Sequence, residues 1–150
     1  MNKVLSEEFC GGAIKWEKPQ SGWTKINVDA ACFNDFPFTG GAAVERDDQG
    51  HWVAAMTNTK AEKLAPVVAE AWALKEALSW IKTRSSSLIS PVMFAVIVWI
   101  YLSVKVSFVY RSANMVAHAL ARETYSMSGR RSWFDSVPEF LRSVFISDSY

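Results

Sequence analysis

Hydrophobic and polar positions alternate through Lys25-Ile26-Asn27-Val28-Asp29, with Ile26 and Val28 on one side and Lys25, Asn27 and Asp29 on the other. A period of two marks a strand with one buried face and predicts a first strand over 23–31. Asp29 falls on the polar side, with Ala30 and Ala31 leaving room beside it. It reads either as a metal ligand or as a surface acid that starts a turn. Asn34, Asp35 and Pro37 predict a turn over 33–38. A second strand follows over 40–45, small at its start. Arg46-Asp47-Asp48-Gln49-Gly50 is a hairpin signal, because Asp tolerates turn geometry and Gly supplies a positive φ. A third strand is expected over 51–59 with Trp52 as its anchor. Three consecutive antiparallel strands result.

The period then changes. From 67 to 81 the apolar residues Val67, Ala71, Leu74, Leu78 and Ile81 recur at spacings of three and four, one face of an α-helix. Pro66 suits the first turn, and Ser85-Ser86-Ser87 ends the run. At about 100° per residue, Glu70 sits about 60° from the centre of that face and flanks it. Glu76 falls on the far side, as a solvated charge. Trp72 and Trp80 point away from the stripe, so a second element should cover them, with Trp133-Phe134 and Phe140-Leu141 as the candidates.

Leu88 to Val104 carries no charge, and Val92 to Leu102 is apolar throughout. The run is short for a transmembrane helix, which needs about 20 apolar residues. Its Val, Ile, Phe, Trp and Tyr favour a strand. A buried strand or strand pair, a buried helix and a membrane segment all remain open, with the alternating stretch 104–110 reading most clearly as strand. A second helix is expected over 112–125, with Ala113, Ala117, Leu120, Ala121 and Thr124 inward. Asn114, His118 and Arg122 stand four apart in one polar stripe, with Arg111 on the same side. A lone histidine there could be structural; between Asn and two Arg it reads as part of a surface for an anionic ligand.

Composition adds limits. The 150 residues fit one domain, and their net charge of +1 gives no global basic field. The charge is uneven, since no acid occurs between Glu76 and Glu123 while Lys82, Arg84, Lys105, Arg111 and Arg122 lie in that span. Cys10 and Cys32 form neither a zinc pattern nor a disulfide framework. The first residues lack the apolar core of a signal peptide, so an intracellular site, nuclear or cytoplasmic, is expected. Residues 1–22, with Gly11, Gly12, Pro19 and Gly22, read as an arm or linker on which Trp16 could dock; 23–146 form the domain and 147–150 a tail.

The residues 23–31, the Gly40-Gly41 strand ending in Arg46-Asp47-Asp48-Gln49-Gly50, and Ala69-Glu70-Ala71-Trp72-Ala73-Leu74 resemble the ribonuclease H type 1 fold. The likeness is to plant ribonuclease H-like domains derived from non-LTR retroelement reverse transcriptases. Val109-Tyr110-Arg111-Ser112-Ala113-Asn114, with Val116-Ala117-His118-Ala119-Leu120-Ala121, resembles the last motif of that group. The resemblance covers roughly 23–84 and 104–146. It implies an α/β fold with a mixed sheet, three N-terminal antiparallel strands and packed helices. It implies Mg²⁺-dependent endonucleolytic hydrolysis of RNA in RNA–DNA hybrids by two metals, with a nucleic-acid partner and no small-molecule cofactor. Asp29 and Glu70 match the first two metal-binding carboxylates, and His118 stands where many active members carry Asp. Asn114, Arg111, Arg122, Lys82 and Arg84 would face the nucleic acid.

The third carboxylate of the family has no counterpart in order, and residues 88–103 replace the segment that carries it. Two carboxylates bring about −2 against about +4 from two Mg²⁺. The resemblance therefore implies a domain that binds RNA–DNA hybrid or RNA with little or no cleavage. A working nuclease would need another acid, from Asp47, Asp48 or a partner. The alternative is a truncated or mis-spliced product without biochemical activity.

Overall fold

The computed structural model describes residues 14–86, 107 and 109–148. Strands β1 (Lys25–Cys32), β2 (Thr39–Arg46) and β3 (Trp52–Lys60) form an antiparallel meander, as the alternation predicts. A short fourth strand, β4 (Arg131–Phe134), adds to β3, giving the order β1-β2-β3-β4. All pairings among the described residues are antiparallel, so the parallel component of a mixed sheet does not appear in them. The β2–β3 turn closes as expected. Asp47 Oδ1 accepts from the backbone N–H groups of Gln49 and His51 at 2.9 and 2.8 Å, and Gly50 adopts φ 85°. Arg46 belongs to the strand and not to the turn.

Alternation assigns the two sheet faces. Ile26, Val28, Ala43, Ala54 and Met56 pack on one side beneath the helix α1 (Pro66–Ser86). Ala31, Ala42, Val44 and Ala55 pack on the other with Val116, Ala117, Leu120 and Ala121 of α2 (Met115–Glu123). Leu141, in a 3₁₀ turn, and the C-terminal helix α3 (Arg142–Asp148) complete that second layer. The buried positions of α2 agree with the inward face expected of it.

Helix α1 is rotated from the expected phase. Its buried residues are Ala69, Ala73, Ala77 and Trp80, whereas Val67 is 82% exposed and Leu78 41% exposed. The centre of the buried face thus lies about 120° from the stripe of larger aliphatic residues. The cause is the sheet below. Gly41 lies under Trp72 and Ala73 so closely that a Cβ there would come within 2.9 and 3.2 Å of them. A face of alanines fits such a surface, and a row of Leu and Val would not. Trp80 therefore packs on the sheet with Ala43, Ala54 and Met56. Arg84 links it to Phe134, with its guanidinium 4.7 Å from the Trp80 ring and 5.6 Å from the Phe134 ring. Glu76 flanks the buried face and accepts from Asn58 Nδ2 at 2.8 Å and Arg130 at 2.5 Å. It joins α1 to the sheet and is not a solvated charge.

Both ends of the described chain are fastened to the same corner. Trp16 is buried and donates through Nε1 to Asn27 Oδ1 at 2.7 Å. Arg46 is 1% exposed, pairs with Asp148 at 2.6 Å and lies against the rings of Trp16 and Phe145 at 4.3 and 4.8 Å. Burial lowers the Arg46 pKa, while Asp148 works the other way. A buried guanidinium of this kind is tolerated only with its carboxylate. Trp16 and Asp148 thus pack against the same sheet corner, on either side of Arg46. Among the described residues no helix is long and apolar enough to cross a membrane. The apolar run 88–104 and most of the expected strand 104–110 lie outside the described residues.

Candidate functional site

The site begins with the pleat of β1. Its alternation turns Asn27 and Asp29 toward α2, and Asp29 stands opposite Ala42 in the neighbouring strand. Small residues around it leave the carboxylate accessible from the side of the helix.

The start of α2 is bolted to that strand through amides. Asn114 Nδ2 donates to the Val28 carbonyl at 2.9 Å, and Asn114 Oδ1 accepts from Asn27 Nδ2 at 2.9 Å. With Trp16 on Asn27, this makes a continuous chain of three side chains over the middle of β1. Asn114 therefore positions α2. Both ends of its amide are engaged by the protein.

One turn further along α2, His118 reaches the same strand. Its Nδ1 lies 2.6 Å from Asp29 Oδ2, and both side chains are largely buried. An N–H at Nδ1 donates to the carboxylate, which fixes the ring and leaves Nε2 as the second nitrogen. Glu70 arrives from the first turns of α1. Burial and the neighbouring Asp29 carboxylate push the Glu70 carboxyl above its ordinary range, with a bond between the two acids adding to the effect. The Ala30 backbone N–H and the Arg111 guanidinium act in the opposite direction. Arg111 precedes α2 in a 3₁₀ turn and is exposed. Asp29 from β1, Glu70 from α1, His118 from α2 and Arg111 from the 3₁₀ turn before it thus bring two acids, one imidazole and one guanidinium to this site.

The remaining basic residues expected on this surface divide. Arg122 is exposed one turn beyond His118, with its guanidinium 5.4 Å from the Phe33 ring. Lys82 is exposed on α1, twelve residues and about 18 Å of helix beyond Glu70. Arg84 is ion-paired with Glu45 as well as stacked on Trp80 and Phe134. Asp47 and Asp48 stand at the opposite end of β1. Asp29 lies four residues from Lys25, which pairs with Arg46, so about 13 Å separates the turn from the site. Neither acid fills the third position. Among the described residues no group of three or more His, Cys, Asp and Glu side chains is arranged to hold a metal ion.

An aromatic cluster next to this site escapes the periodicity reading. Phe33, Phe36 and Phe38 of the β1–β2 connection join Tyr125 after α2. Three phenylalanines in a six-residue turn were the available signal, since a turn with no partner rarely carries them.

The protein is α/β, its described residues forming a four-stranded antiparallel sheet with packed helices, an arrangement consistent with a ribonuclease H-like fold. The chain is 26% identical over 164 aligned positions to an Arabidopsis thaliana protein described as "Putative ribonuclease H protein". That alignment covers 91% of this chain and 26% of the relative, so the chain spans about a quarter of the relative's length. No family model matches the chain, and no solved structure matches it.

Proposed function

We propose that this chain is a ribonuclease H type 1-like domain that binds nucleic acid, an RNA–DNA hybrid or RNA, across Asp29, Glu70, His118 and Arg111. The observation that carries this reading is the convergence on Asp29. Asp29 is held by the His118 imidazole at 2.6 Å and raises the Glu70 pKa, while Arg111 acts on Glu70 in the opposite direction, so acids and cations gather where a phosphate and its counter-cation can be shared. The similarity to a ribonuclease H-named protein supports the same class. Arg111 and Arg122 supply the positive rim that a phosphate backbone requires.

Of the two metals that the family implies, Asp29 and Glu70 fit one Mg²⁺, whose other positions would be met by water and phosphate oxygens. They do not fit two. The third acid has no counterpart among the described residues, and the Nδ1 of His118 is committed to Asp29. When bound, a single Mg²⁺ would offer charge neutralisation to a phosphate. The chain's own residues hold that phosphate: Arg111 and Arg122 from the rim, and His118 by fixing the orientation of Asp29. The missing ligands cost several kcal/mol of transition-state stabilisation, and each 1.36 kcal/mol is about tenfold in rate. Binding with weak or absent cleavage follows.

The test is a labelled RNA–DNA hybrid incubated with Mg²⁺ beside the Asp29→Asn variant, with binding followed over a salt series. Binding that weakens steeply with salt and no Asp29-dependent cleavage is the expected result. Efficient cleavage lost in the variant would overturn the binding-only part. Absence of binding to hybrid and to RNA at low salt would overturn the whole reading.

A further inference from the structure

A cavity of about 440 Å³ opens beside the site, between the β1–β2 connection and the end of α2. Its walls include Phe33, Phe36 and Tyr125, with Arg122, Asp35 and Glu123 at its polar margin. Phe33 belongs to the core, whereas Phe36 and Tyr125 are 37% and 57% exposed. These two rings meet edge to face at 4.9 Å, and Phe33 lies 5.9 Å from Tyr125. Each ring already meets another of the cluster, and Phe36 and Tyr125 still leave aromatic surface open to solvent along the cavity, where a further ring can pack.

The position along the chain matters as much as the composition. Phe33 lies four residues past Asp29, a separation of about 13 Å on an extended strand. That distance equals about four stacked nucleotides at roughly 3.4 Å each. Arg122 stands between the two places, one turn beyond His118. A strand whose phosphates lie at Asp29 and Arg111 would pass Arg122 on its way to the cavity.

We propose, on the basis of the function assigned above, that this cavity is a stacking subsite for an unpaired base of the bound nucleic-acid strand. Phe36 and Tyr125 supply the stacking surface, and Arg122 meets the backbone phosphate beside it. The charges select the base and not a phosphate for the interior. Asp35 and Glu123 place two carboxylates at the margin, which repel a phosphate and can accept from an exocyclic amine. Bases paired within a duplex cannot enter, so the subsite reads the single-stranded flank of a hybrid.

The experiment compares a blunt RNA–DNA hybrid with one carrying a four-nucleotide single-stranded overhang, using the full chain. The overhang is expected to tighten binding roughly 5- to 150-fold, the range for one stacked base. Replacing its bases by abasic residues should remove the gain. Phe36→Ala combined with Tyr125→Ala should bring the overhang-to-blunt ratio to about one, whereas Tyr125→Phe keeps the ring face and should retain it. Binding of the blunt hybrid by each variant reports that it is folded. A ratio of one in the unmodified protein, or a ratio that survives the double substitution or the abasic overhang, overturns the subsite and leaves the binding function standing. Failure to bind either hybrid overturns both.

Discussion

His118 Nδ1 and Asp29 Oδ2 lie 2.6 Å apart, although 89 residues separate them in the chain. The contact joins the layer of α2 to β1 at the place where Glu70 also arrives, so it sets the charge of the site. Replacing His118 by Asp would put three acids together. Without divalent cation, the lost charge-assisted bond and the added repulsion should destabilise the fold by about 1–3 kcal/mol. Mg²⁺ should reverse this, since binding to the native state adds about 1.4 kcal/mol for each tenfold of concentration above Kd. Thermal melts of both proteins in EDTA and over a Mg²⁺ series check it. Equal responses of the two to Mg²⁺ would show that the three side chains do not share a cation.

Glu70 makes a separate prediction about pH. Its folded-state pKa is raised by burial and by Asp29, so the folded protein holds this proton more tightly than the unfolded chain. The stabilisation is fully present below the unfolded value of about 4.3 and is lost as pH rises through the higher folded value. Glu70→Gln has no such proton to lose. In melts without divalent cation the variant should gain on the unmodified protein as pH rises from about 4 to 7. Solvent reaching this partly exposed carboxyl holds the gain to under about 1 kcal/mol. A gain that shrinks with rising pH would reverse the sign and contradict the grouping.

The basic residues should separate by assay. Arg111 faces Glu70 at the site, whereas Arg84 is tied to Glu45 and stacked between Trp80 and Phe134. Arg111→Ala should weaken hybrid binding and lower the salt slope by about one, at little cost to stability. Arg84→Ala should do the opposite. It should lower the melting point, because it leaves Glu45 unpaired and removes two stacked contacts, with the salt slope unchanged. Binding isotherms over a salt series and a melt of each variant decide between them.

The three-strand meander and the second helix are legible because alternation and helical spacing are local. The phase of α1 is not. Apolar residues surround much of that helix, and weighting them by size selects Val67, Leu74 and Leu78, while the sheet admits only the small side. What decides the matter is Gly41, which no local pattern links to the helix but which lies directly beneath Trp72 and Ala73. The flanking position of Glu70 survives the rotation because it lies about 60° from the centre of either face, between the two. That of Glu76 does not, since the same rotation carries it from the far side of one face to the flank of the other. The Asp29–His118–Glu70 grouping is reached through motif order, because no periodicity links positions 29, 70 and 118. The amide chain from Trp16 through Asn27 to Asn114 has no signal at all, as each residue alone is an ordinary polar or aromatic position.

The closeness of the layers is itself testable at Gly40. A Cβ built there would overlap Thr124 Oγ1 and stand 3.1 Å from the Ala121 carbonyl oxygen, at the end of α2. Thr124 is fully buried, and its hydroxyl donates to that carbonyl at 2.6 Å, so neither atom can withdraw freely. Gly40→Ala should therefore cost about 1–3 kcal/mol through overpacking. Thr124→Ala removes the clashing oxygen and the hydroxyl bond together, at a cost of its own. With both substitutions present, the new methyl group occupies space the hydroxyl has left, and the combined loss should fall short of the sum by about 0.5–3 kcal/mol. Denaturant unfolding of the two single variants and the double variant measures that coupling. Additive losses would mean that Gly40 is needed for the conformation of β2 and not for the approach of α2.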